Sequence, residues 1–237
     1  MKRWMSLALL VVGIAVLRPD PAWGVFHLMQ IEQVIGGVCG DASIQAIQLR
    51  TRTVGQNFVN ETRLVAFDAA GMNPVVLLTF PKDVPNGAAG ARILSASTEF
   101  INRFGPPPDF TLTNLIPASY LPAGRLTFED GGGLIYWSLA WGGSAYTGPT
   151  TGEFDNDVDG DFGPPFAGPL PSSTAQALQF QGAFGDPSTT NADDYALTVG
   201  DALFTNNGSA SGMVGGGCVF GDGFESGDTA VWSTTIP

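Results

Sequence analysis

Short apolar runs, each broken by Gly, Pro or Asn, dominate the chain after its first two dozen residues. Runs at 26–35, 44–53, 62–68, 75–80, 92–95, 124–129 and 134–141 read as strands, with later candidates at 175–180, 195–199 and 202–205. Alternation is loose because the runs are short: Ile44, Ala46, Gln48 and Arg50 alternate with Gln45, Ile47, Leu49 and Thr51. Turn signals separate the runs, among them Asn73-Pro74, Asn86-Gly87, Asp130-Gly131 and Asn207-Gly208. Many short strands at this spacing predict an all-β sandwich or barrel. One short helix is predicted: Ser97 caps a segment ending at Phe104, and Gly105 with Pro106-Pro107-Pro108 stops it.

The first residues follow another logic. Lys2 and Arg3 precede an apolar run from Met5 to Leu17, and Ala22-Trp23-Gly24 follows with small residues at its first and third positions. This reads as a signal peptide over 1–24, which places the mature chain outside the cell or on its surface. The apolar run is shorter than the ~20 residues a transmembrane helix needs, so no membrane span is expected once the signal is cleaved. The body is then 25–213, loop-rich from 142 to 173. Gly215-Gly216-Gly217 joins it to a C-terminal tail, 214–237.

Charge narrows the partners. The chain has 10 Lys+Arg against 22 Asp+Glu, a net charge of −12. No Lys or Arg follows Arg125, whereas 14 acidic residues do. Such a half repels phosphate, so nucleic acid is not an expected partner. The partner is expected to be an extracellular ligand or surface component. The acidic groups either attract divalent cations or simply keep an exported chain soluble.

The region 25–141 resembles the lamin-tail-like domain of exported bacterial proteins. The resemblance rests on Gln30-Ile31-Glu32-Gln33-Val34, Ile47-Gln48-Leu49, Arg63-Leu64-Val65-Ala66-Phe67-Asp68 and the hairpin Leu126–Gly132 with Leu134-Ile135-Tyr136. It implies an immunoglobulin-like β-sandwich with a surface or binding role, and no catalytic residues. Gln48 stands where that family carries Glu. The tail, Phe220–Asp228 followed by Trp232-Ser233, is similar to short C-terminal tracts of exported bacterial proteins, which implies sorting or surface display.

Candidate chemistry is sparse. Asp155, Asp157, Asp159 and Asp161, with Gly160 for a sharp turn, match the opening of an EF-hand-like loop and form a candidate Ca²⁺ site. Phe166 stands where a bidentate Glu belongs, and Pro164-Pro165 block the following helix. The alternative is a solvated acidic loop. Ca²⁺ is the only cofactor the sequence suggests. Trp137 and Trp141 share one strand face with Ile135 and Leu139, as core or as a sugar-stacking platform; the second makes a carbohydrate-binding module. His27 is the only His, and no Gly-x-Ser-x-Gly elbow occurs, so a non-catalytic role is expected. A carboxylate hydrolase would need two of Glu32, Glu61, Glu99 and Glu129 to meet. Cys39 and Cys218 can pair in an oxidising compartment or remain unpaired.

Overall fold

A computed structural model describes residues 26–153 and 155–215. The signal segment, Cys218 and the tail from 216 onward lie outside the described residues.

Among the described residues, twelve strands and two short α-helices make an all-β, sandwich-like fold. One sheet has the order β10-β9-β1-β2-β5-β6 and the other β4-β3-β7-β8. In the first lie β1 (Met29–Ile35), β2 (Ala46–Thr51), β5 (Arg92–Ala96), β6 (Phe110–Thr111), β9 (Leu178–Phe180) and β10 (Tyr195–Leu197). In the second lie β3 (Arg63–Phe67), β4 (Val75–Thr79), β7 (Gly124–Glu129) and β8 (Ile135–Trp141). A hairpin of β11 (Leu203–Thr205) and β12 (Ser211–Met213) stands apart.

The main core fills the space between the two sheets. Met29, Ile31, Val34, Ile47, Leu49 and Ile93 from one side meet Leu64, Leu126, Phe128, Trp137, Leu139 and Trp141 from the other. Trp137 and Trp141 are wholly buried, so neither offers a face for stacking a sugar. Each indole N–H is satisfied, Trp137 by the Tyr195 hydroxyl (2.7 Å) and Trp141 by the Tyr120 carbonyl (2.9 Å).

The inward residues of β1 fall at 29, 31 and 34, a break in strict alternation. A bulge at Glu32, between the pairs Ile31↔Leu49 and Gln33↔Gln48, explains the break. An extra residue on one strand lets Glu32 and Gln33 both face away from the main core. The outer face of this sheet is therefore mixed. One end is apolar: Ile35, Ala46, Leu94 and Ala96 form a second core with Phe100, Phe204 and Val214. The hairpin β11–β12 covers that end. Gly212 permits the approach, since a Cβ there would overlap the Gly105 carbonyl. Val214 is fully buried in this second core.

Helix α1 (Thr98–Arg103) matches the expected segment, with the Ser97 hydroxyl accepting from the Phe100 N–H. A second helix, α2 (Asn191–Asp194), is a departure from the one-helix expectation. It is a single turn capped by Thr190, too short for a sequence period to reveal.

Candidate functional site

Two places gather polar side chains: the acidic segment beside β8, and a groove under the hairpin β11–β12.

Strand β8 is an edge of its sheet, so one row of its backbone groups lacks a strand partner. Side chains supply much of what is missing. The Glu153 carboxylate accepts the Ser138 N–H through Oε2 (3.0 Å). Asn191 accepts the Ala140 N–H (2.7 Å) and donates to the Ser138 carbonyl (3.2 Å). Asn156 donates to the Tyr136 carbonyl (2.6 Å) and to that of His27. The Phe166 N–H reaches the Ala140 carbonyl (3.0 Å). The long loop thus acts as a seam along the open edge.

The expected Ca²⁺ ligands make different contacts within that seam, with Asp157 and Asp159 sharing the Asp161 N–H. Asp155, at φ +66°, meets the His27 ring nitrogen at 3.0 Å. Asp157 turns inward, and its Oδ1 accepts the N–H groups of Asp159, Gly160 and Asp161 (3.0, 2.7 and 3.2 Å). Asp159 and Asp161 are exposed, and each accepts an N–H two residues on. Gly160 makes the sharp turn at φ +81°. Among the described residues no three His, Cys, Asp or Glu side chains form a group that could hold a metal by themselves.

Glu153 is the residue that sequence reasoning missed. It is 8% exposed, and its Oε1 has no hydrogen-bond partner. Burial pushes its carboxyl well above the usual range, and the charge of Asp157 adds to the effect. Burial raises Asp157 also, and its Oδ2 is likewise buried and unpartnered. The EF-hand spacing starts at Asp155 and carries no information about a carboxylate upstream of it.

The groove occupies roughly 630 Å³ on the outer face of the six-stranded sheet. Its floor is Glu32, Gln33, Gln48, Arg92 and Gln179, and its walls include Thr198, Thr205 and Ser211. Glu32 is held on all sides: Arg92 contacts both of its oxygens (2.7 and 2.9 Å), Arg50 one (3.1 Å) and the Gln48 amide one (2.7 Å). Gln48 Oε1 then accepts the Thr205 N–H, and Gln33 donates to the Leu203 carbonyl (2.7 Å), which ties the hairpin to the sheet. Gln33 Oε1 is buried and unpartnered at the groove floor. Val199, fully exposed, stands on the rim.

The four glutamates considered for hydrolysis do not gather. Glu32 lies in the groove and Glu129 pairs with Arg63 (2.7 Å) on the opposite sheet. Glu61 is an exposed turn residue at φ +67°, and Glu99 sits in the first turn of α1. The pairing expected of Cys39 involves Cys218, which lies outside the described residues.

No protein-family model and no curated protein matches this chain. Among the described residues no helix is long and apolar enough to cross a membrane.

Proposed function

We propose that the protein is a secreted, non-catalytic binding or structural protein of the cell surface or extracellular space. The fold-level expectation of an immunoglobulin-like, lamin-tail-like domain accompanies that reading, and the groove under β11–β12 is its binding surface. One observation carries it: Glu32, the buried carboxylate of the groove, has both oxygens already taken by Arg50, Arg92 and Gln48. A carboxylate so neutralised and hydrogen-bonded is a poor proton donor or nucleophile. It is instead a rigid polar floor. A volume of this size suits a small ligand or a short stretch of a polymer.

A carbohydrate-binding module is the second reading; with Trp137 and Trp141 buried, it would have to use the groove instead. The amides of Gln33 and Gln179 and the hydroxyls of Thr198 and Ser211 form a lining suited to a neutral, hydroxyl-rich ligand. Titration of the purified protein with a panel of neutral oligosaccharides and short peptides, followed by NMR, tests both readings. Binding is expected to shift the amide signals of Thr198 and Thr205, to weaken in Gln179→Ala, and to leave the ligand chemically unchanged. Turnover of a ligand would reverse the non-catalytic reading. Shifts from peptides alone would remove the carbohydrate reading. Shifts confined to residues outside the groove would remove the groove as the binding surface.

A further inference from the structure

We propose that Glu153 and Asp157 together hold one Ca²⁺ ion in the seam beside β8. The ligand pair differs from the set the loop spacing suggests, because it reaches upstream of Asp155 and leaves out Asp155, Asp159 and Asp161.

The choice of residue at 153 is the starting point. Three side chains serve the open edge of β8, and two of them are the amides of Asn156 and Asn191. An amide at 153 could accept the Ser138 N–H equally well, with no charge to bury. A carboxylate there costs solvation, and its second oxygen gains nothing from the protein: Oε1 of this nine-tenths buried residue has no donor. Asp157 repeats the pattern. Its Oδ1 is saturated by three loop N–H groups, while Oδ2 is buried without a donor.

The surrounding charges do not resolve this. Asp157 is the strongest charge acting on Glu153, and Asp194 adds to it; Asp159 acts on Asp157. The one cation acting on Glu153 is Arg52. Its guanidinium donates to Asn156 Oδ1 (2.8 Å), the Gly185 carbonyl (3.0 Å) and the Asp155 carbonyl (3.4 Å), and it forms no ion pair with either carboxylate. Two buried acceptor oxygens without protein donors are satisfied either by a proton, which the raised Glu153 carboxyl would hold, or by a cation, and only the cation makes stability depend on Ca²⁺. The donors are all oxygen, which selects a hard ion over zinc or copper. Ca²⁺ tolerates irregular geometry and completes its six to eight ligands with carbonyls and water. With two protein carboxylates, the affinity belongs with extracellular modules, about 0.1–1 mM. The inference deepens the extracellular reading of the preceding subsection but is read out by stability, so it stands or falls apart from ligand binding in the groove.

Thermal unfolding of the purified protein in EDTA, in 5 mM CaCl₂ and in 5 mM MgCl₂ tests it. Ca²⁺ is expected to raise the midpoint by about 2–5 °C, and Mg²⁺ by clearly less. Glu153→Gln and Asp157→Asn are each expected to remove the Ca²⁺ response while matching or exceeding the wild-type midpoint in EDTA, since each deletes a buried repulsion. Asp155→Asn with Asp161→Asn is expected to keep the response. No Ca²⁺ shift in the wild type would overturn the proposal. So would an equal shift with Mg²⁺, or a response that survives in both single variants. If Glu153→Gln does not fold, Asp157→Asn alone decides.

Discussion

A buried carboxylate is informative only together with its partners, and Glu32 and Asp109 show two outcomes. Glu32 is neutralised by two arginines and an amide, so it is a fixed part of the sheet. Asp109 is served by backbone alone: Oδ2 accepts the N–H groups of Leu94 and Asn207 (2.8 Å each). Burial raises its carboxyl above the usual aspartate value, and those two bonds with the Lys82 charge only partly oppose the shift. The sign follows directly. Between the ordinary aspartate value near 3.9 and the raised folded value, the folded state holds a proton that the unfolded chain has released. Stability from Asp109 is therefore highest below that window and falls as pH rises through it. Asp109→Asn keeps an acceptor oxygen and has no charge to bury. Its stability relative to wild type is expected to increase from pH 4 to pH 7, measured by chemical denaturation at both. A constant difference across that range would show that Asp109 is not a buried charge in solution.

At the scale of elements, the seam beside β8 explains why residues 142–173 are long and poor in strands. A further strand would have closed the sheet by repeating ladder bonds, but here Asn156, Asn191 and Glu153 imitate one with side chains. Asn191 is wholly buried and serves both an N–H and a C=O of β8. Asn191→Ala is expected to destabilise by about 2–4 kcal/mol, since it strands two backbone groups at about 1–3 kcal/mol each, partly relieved by water entering the cavity. Hydrogen exchange should localise the effect, with the Ala140 amide losing protection before that of Leu126 on the inner strand β7. Here too the limits of the sequence become physical. The strands of the main core were legible because burial on one face leaves a pattern, and α1 because Ser97, Gly105 and the prolines mark its ends. The strand β12 carries Ser-Gly-Met, whose outward residues have nothing to announce them. The bulge at Glu32 hid the groove, since it turns two consecutive polar residues to one side. The burial of Glu153 and of one Asp157 oxygen depends on how the loop packs against β8, which no spacing rule encodes.

For the whole molecule, the remaining question is what ties the two ends to the sandwich. Cys39 lies just after β1, at φ +55° in the turn joining Val38 to Asp41, beside the second core. Val214 is buried in that same core, four positions before Cys218 in the sequence. A Cys39–Cys218 disulfide would close a loop around nearly the whole sandwich. Such a bridge is expected to contribute about 2–4 kcal/mol, mainly by restricting the unfolded chain. The intact mass of protein recovered from the culture medium checks this together with export. The expected species begins at Val25 and is lighter by two hydrogens than the dithiol form, and reductant should restore those hydrogens and lower the unfolding midpoint. A Cys39→Ser, Cys218→Ser variant should have that lower midpoint without reductant and be insensitive to it. A secreted species that alkylates at both cysteines without reduction would leave the ends held by Val214 and the second core alone.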